Sequence, residues 1–110
     1  MSKALNFNNL KKRYLTVTLP DEKETTLLVT TPTKAVLDQL IAMKDSLGDD
    51  DMNEDALEDL YDICAKILSR NKAGHIIRKE ELENMFDFED IIILVREYTN
   101  FINEVTSSKN

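Results

Sequence analysis

Side chains able to do chemistry are few in this sequence, and they are scattered. One cysteine, Cys64, and one histidine, His75, are present. Zinc sites draw several ligands from Cys and His, and a Cys-His nucleophilic pair needs a third group to orient it, so one of each supports neither. Cys64 falls on the apolar stripe of a helical pattern and reads as a small buried hydrophobe. His75 follows Gly74 and reads as an exposed loop residue near a helix C-terminus. The acidic run from Asp49 to Asp62 invites a calcium reading. Yet a loop opened at Asp49 places Glu54 at its sixth position, and one opened at Asp45 places Asp50 there, where the sharp turn demands glycine. Gly48 and Gly74 stand too far apart to build a phosphate-cradling loop. Carboxylates abound, but most sit on polar helix faces, away from the apolar surroundings that would raise a pKa for acid-base work. The residues therefore point to no catalytic, cofactor-binding or metal site, and to a binding or assembly protein rather than an enzyme.

Charge is distributed in blocks. Lys+Arg 14 against Asp+Glu 21 gives −7, with a pI of about 4.7. Residues 1–19 carry Lys3, Lys11, Lys12 and Arg13 and no acid, for +4. Residues 36–65 carry ten acids against Lys44, for −9, and residues 63–79 return to +5 through Lys66, Arg70, Lys72, Arg78 and Lys79. That basic segment could touch phosphate, but Trp is absent, aromatic residues are 6%, and the overall charge opposes nucleic-acid affinity. Blocks of opposite sign suit contact with another protein, or with a second copy, through complementary patches. On this basis Lys11, Lys12, Arg13 and Tyr14 are the candidate self-association residues, meeting the acidic segment 49–62 of a neighbour.

A chain of 110 residues suits one domain, residues 1–110, and can bury a core without disulfide or metal. The longest apolar run, residues 91–95, is far below the ~18 of a spanning helix. The opening residues are too polar for a secretory signal, so no membrane is expected and the cytoplasm is the default location.

The elements that must position any surface follow from periodicity. Leu15, Val17 and Leu19 alternate with Tyr14, Thr16 and Thr18, and residues 25–30 form a second β-branched run across a Pro-Asp turn. An N-terminal segment and β-hairpin fill residues 1–31, the hairpin itself running from Tyr14 to Thr30 with at least one open edge. It must lean on helices or pair with a strand from another chain. Residues 32–105 read as about four helices packed as a small bundle, giving an α+β, mostly α fold. Thr31-Pro32 should start the first helix and Gly48 close it. The second opens near Asp51 or Asn53, carries Leu57, Leu60, Tyr61, Cys64, Ile67 and Leu68 on one face, and stops at Ala73-Gly74. Residues 79–86 make a short third helix. Asp87 and Asp90 form a capping box for a fourth, over residues 88–105, and residues 106–110 are a flexible tail.

That fourth helix has an apolar arc wider than a surface helix needs. Phe88, Ile91, Ile92, Val95 and Ile102 suffice to close the core. Leu94, Tyr98, Phe101 and Val105 flank them and are the candidate partner-binding residues, the competing arrangement being that Leu94 and Phe101 pack under the hairpin.

Residues 5–20 (LNFNNLKKRYLTVTLP), the Thr31-Pro32-Thr33-Lys34 start, residues 63–71 (ICAKILSRN) and residues 85–92 (MFDFEDII) together resemble the small tail assembly chaperones of long-tailed bacteriophages and prophages of Gram-positive bacteria. The resemblance spans nearly the whole chain. It implies a non-enzymatic viral protein of the host cytoplasm, absent from the mature virion, that coats the long helical tape measure protein and keeps it soluble until tube subunits polymerise around it. It also implies a longer frameshifted form that recruits the major tail protein; Lys109-Asn110 can be encoded by an A-rich slippery run. No functional residue carries over. A different reading of the same acidity is a phage adaptor or inhibitor of DNA-mimic type, whose carboxylates at 49–62 occupy a nucleic-acid-binding protein.

Overall fold

The computed structural model describes residues 4–7, 10–47 and 54–107. In chain order these form β1 (Leu15–Thr18), β2 (Thr26–Val29), α1 (Lys34–Leu47), α2 (Glu54–Ser69), α3 (Lys79–Met85) and α4 (Phe88–Ser107). The architecture is α+β, mostly α: an antiparallel hairpin followed by four helices.

The hairpin pairs Leu15 with Val29, Thr16 with Leu28, Val17 with Leu27 and Thr18 with Thr26. Leu27 and Val29 are buried and Leu15 and Val17 pack beside them, so the period of two read in the sequence divides the faces as expected. The Leu19 N–H donates to the Thr25 carbonyl at 2.8 Å, which makes Leu19 and Thr25 a hydrogen-bonded pair. By alternation, the backbone groups of Leu15 and Val17 point at β2 and those of Thr16 and Thr18 point away from it. Asp21 shapes the loop. Its carboxylate accepts the Thr25 N–H at 2.9 Å and the Thr25 hydroxyl at 2.7 Å, and these bonds lower its pKa.

The far edge of β2 is occupied from within the chain. Residues 70–72, just past α2, run beside it: Thr30 N–H donates to the Arg70 carbonyl at 2.8 Å and Lys72 N–H to the Leu28 carbonyl at 2.9 Å. A single bridge joins Val29 to Asn71. β2 is thus covered on both sides and β1 is the outer strand.

This pairing corrects two expected boundaries. Helix α2 ends at Ser69 rather than at Ala73-Gly74, because the backbone of residues 70–72 is committed to the β2 edge. The α1 cap is Thr33, whose hydroxyl accepts the Val36 N–H at 3.4 Å, and not Thr31. Thr31 is held where it is by its carbonyl, which takes the Arg70 guanidinium at 2.9 Å, and a residue before proline disfavours the helical region in any case. At the other end of the chain α4 continues through Thr106 to Ser107, so the tail does not begin at 106. Gly48, the expected starts at Asp51 or Asn53, and residues 108–110 lie outside the described residues. The Asp87–Asp90 capping box forms as expected, with reciprocal bonds of 3.1 and 2.8 Å.

Helix α2 is the hub, touching α1, α3, α4 and β2. Ile63 and Ala65 are therefore buried in addition to Leu60, Tyr61, Cys64, Ile67 and Leu68. An apolar arc of that width needs neighbours on more than one side.

Candidate functional site

The residues expected to face a partner are in the core. Leu94 and Phe101 are each 6% exposed and Tyr98 is 0%, while Val105 is half-buried. The cause is the Tyr98 hydroxyl. A buried phenol needs a hydrogen-bond partner, and it donates to the Thr30 carbonyl at 2.8 Å, fixing the rotation of α4 against the end of β2. Phe101 packs beside the same ring at 6.0 Å between centroids. The helix is turned so that Phe88, expected inside, is 46% exposed, with Ile92 and Ile102 only half-buried. Leu94 and Phe101 are thus core residues, and Tyr98 and Phe101 offer no open face to a partner, while Leu94 shows only an edge of its side chain, toward β1.

Among the proposed self-association residues, Lys11, Lys12 and Arg13 are exposed and Tyr14 is half-buried. The Arg13 guanidinium reaches the Glu104 carbonyl at 3.5 Å, and the Lys72 ammonium lies 5.7 Å from the centre of the Tyr14 ring. Their expected target is partly engaged inside the chain. Lys79 pairs with Glu58, which raises the Lys79 pKa, and Lys66 pairs with Asp62 at 3.2 Å. Residues 49–53 lie outside the described residues.

Cys64 and His75 are far apart in environment. Cys64 is fully buried on α2, and desolvation pushes its thiol up to about 12, so it is neutral and unreactive at ordinary pH. His75 is exposed in the turn after α2, and only its backbone is engaged, by the Asn71 side chain. Among the described residues no group of three or more His, Cys, Asp and Glu side chains is arranged to hold a metal ion. No helix of the described residues is long and apolar enough to cross a membrane.

Among the grooves on the surface of the described residues, two border exposed isoleucines. The first, about 370 Å³, has β1 and Pro20 as one wall and Phe86, Asp90, Ile93, Leu94 and Glu97 as the other. It is walled on one side by the outer strand, and Ile93 at its lip is 41% exposed. The second, about 430 Å³, lies among α1, the C-terminal half of α2 and the approach to α3. Val36, Ala65, Ile76 and Ile77 give it an apolar lining, Lys66, Arg70 and Lys79 border it, and Ile76 stands 67% exposed. Periodicity alone finds neither groove, because each joins residues distant in sequence; the one local hint is Ile76 and Ile77 adjoining in a loop, where two neighbours cannot both be buried easily.

No family model matches the chain, and neither the curated proteins nor the solved structures contain a match to it.

Proposed function

We propose that this protein is a non-enzymatic tail assembly chaperone that binds the tape measure protein and holds it soluble during phage tail assembly. The observation that carries the reading is the second groove. Its walls are helices and a loop, Val36, Ala65, Ile76 and Ile77 form an apolar strip between polar and charged neighbours, and Ile76 is two-thirds exposed. An amphipathic helix laid into such a trough buries its own apolar stripe and covers Ile76 at the same time. A tape measure protein presents long stripes of that kind until the tube encloses it, and uncovered they aggregate. The net charge of −7 helps keep the complex dissolved. The resemblance of residues 5–20, 63–71 and 85–92 to this family supports the same conclusion. The acidic-mimic reading draws less support, since Glu58 and Asp62 are already paired with lysines of the same chain.

The test is co-expression with a helical tape measure fragment that is insoluble alone. Wild-type protein should bring the fragment into the soluble fraction, and Ile76→Asp should not, while leaving the melting temperature of the free protein unchanged because the side chain is exposed. Equal rescue by wild type and Ile76→Asp, or no rescue by either, overturns the proposal.

A further inference from the structure

We propose that the first groove is an acceptor for the N-terminal arm of a second copy of this chain, which adds to the open edge of β1 as a further strand. The acceptor side has the chemistry that strand addition needs. Thr16 and Thr18 direct their backbone N–H and C=O groups away from β2, and among the described residues no backbone bond reaches them from that side. An uncovered edge of this kind is a template for another chain. Beside it, Ile93 and Leu94 give the groove an apolar floor and lip, and Asp90 and Glu97 make its helical border acidic.

The donor side is the segment before β1. Leu5 is 67% exposed, Phe7 69% and Leu10 40%, so the arm shows apolar side chains to solvent. Leu5 and Phe7 are two residues apart and share a face in any extended strand, and Lys11 falls on that same face. A strand that lays Leu5 and Phe7 against Ile93 and Leu94 therefore brings Lys11 to the carboxylates of the border. Both the apolar match and the opposite charges favour a second copy of this chain over an arbitrary apolar peptide.

None of the arm's described residues lines its own groove. The Arg13 guanidinium reaches the Glu104 carbonyl at 3.5 Å, about 10 Å along α4 from Glu97, the near end of the groove, at 1.5 Å per residue. From there the arm must reverse completely within a few residues to lie along its own β1, whereas a neighbour's arm needs no reversal. This replaces the acidic segment 49–62 with Asp90 and Glu97 as the target of the basic approach.

Sedimentation velocity of the full chain across a concentration series tests the assignment. Wild type should associate reversibly, and Phe7→Ser should weaken association about tenfold or more. Thr16→Pro should do the same by removing an outward N–H, and Ile93→Asp should do so without touching the ladder, which covers the case in which the proline variant fails to fold. Lys11→Glu should weaken association and Glu97→Lys should restore it when the two are combined. A wild type that stays monomeric, association that survives Phe7→Ser, or association lost with Phe7→Ser but kept in both Thr16→Pro and Ile93→Asp overturns the proposal. Ile76→Asp should leave association unchanged, so this inference and the client-binding reading fail separately.

Discussion

Asn71 is the one buried polar side chain of the described residues, and it does the work of a small clasp. Its amide donates to the Leu68 carbonyl at 2.8 Å and the His75 carbonyl at 2.7 Å, and its oxygen accepts the His75 N–H at 2.9 Å. It thereby closes the turn through Gly74, whose φ of 74° suits glycine, and holds residues 70–72 against β2. Asn71→Ala strands those backbone groups and should cost about 1–3 kcal/mol in urea unfolding. The core aromatic residues make a second test. Phe101→Ala should cost about 3–5 kcal/mol, because it empties a packed site rather than an open face. Tyr98→Phe should cost about 0.5–1.5 kcal/mol through the lost bond to Thr30. Burial raises the pKa of both Cys64 and Tyr98 in the native state. Their contribution is intact below about pH 8, where the Cys64 thiol is neutral folded or unfolded, and falls as pH climbs toward 12 because the unfolded chain ionises first. For Cys64 the slope approaches about 1.4 kcal/mol per pH unit, and Tyr98 adds to it near the upper end. Denaturant midpoints from pH 8 upward should decline accordingly, and Cys64 should react with a thiol reagent only after unfolding.

At the level of elements, the α1 start separates a local rule from a tertiary one. Thr33→Ala should cost about 1 kcal/mol by removing a cap, while Thr31→Ala, whose carbonyl rather than its hydroxyl takes Arg70, should cost a few tenths. Thermal melts of the two variants decide which threonine caps the helix. The strands, the helix count and the Asp87–Asp90 box were legible because they depend on neighbours within a few residues: alternation at residues 14–19, apolar spacing along α2, and two carboxylates three positions apart. The end of α2 and the rotation of α4 were not. Each is decided by a partner far along the chain, β2 for residues 70–72 and Thr30 for Tyr98, and no local pattern names such a partner. The same limit hid both grooves, while the exposed basic approach at Lys11 and Lys12 was visible from composition alone.

For the whole molecule, surface charge and surface apolarity serve different contacts. If strand addition and Phe7 carry self-association, raising salt from about 0.05 to 0.5 M should weaken it only modestly, because screening touches the Lys11 pairing and not the backbone bonds. Sedimentation at both salt concentrations measures this directly, and a steep loss would indicate a contact made chiefly of charge. Residues 70–72 seal the far edge of β2. With that side closed, strand addition gives each copy one acceptor among the described residues, at β1, and one donor in its arm, which in polymer terms makes it a bifunctional monomer. Head-to-tail contacts of that sort grow into rings or open chains, and never branch. A copy lacking residues 4–10 accepts a neighbour but passes nothing on. It is a chain stopper, and a minor fraction of it mixed with wild type should shorten the assemblies out of proportion to its amount.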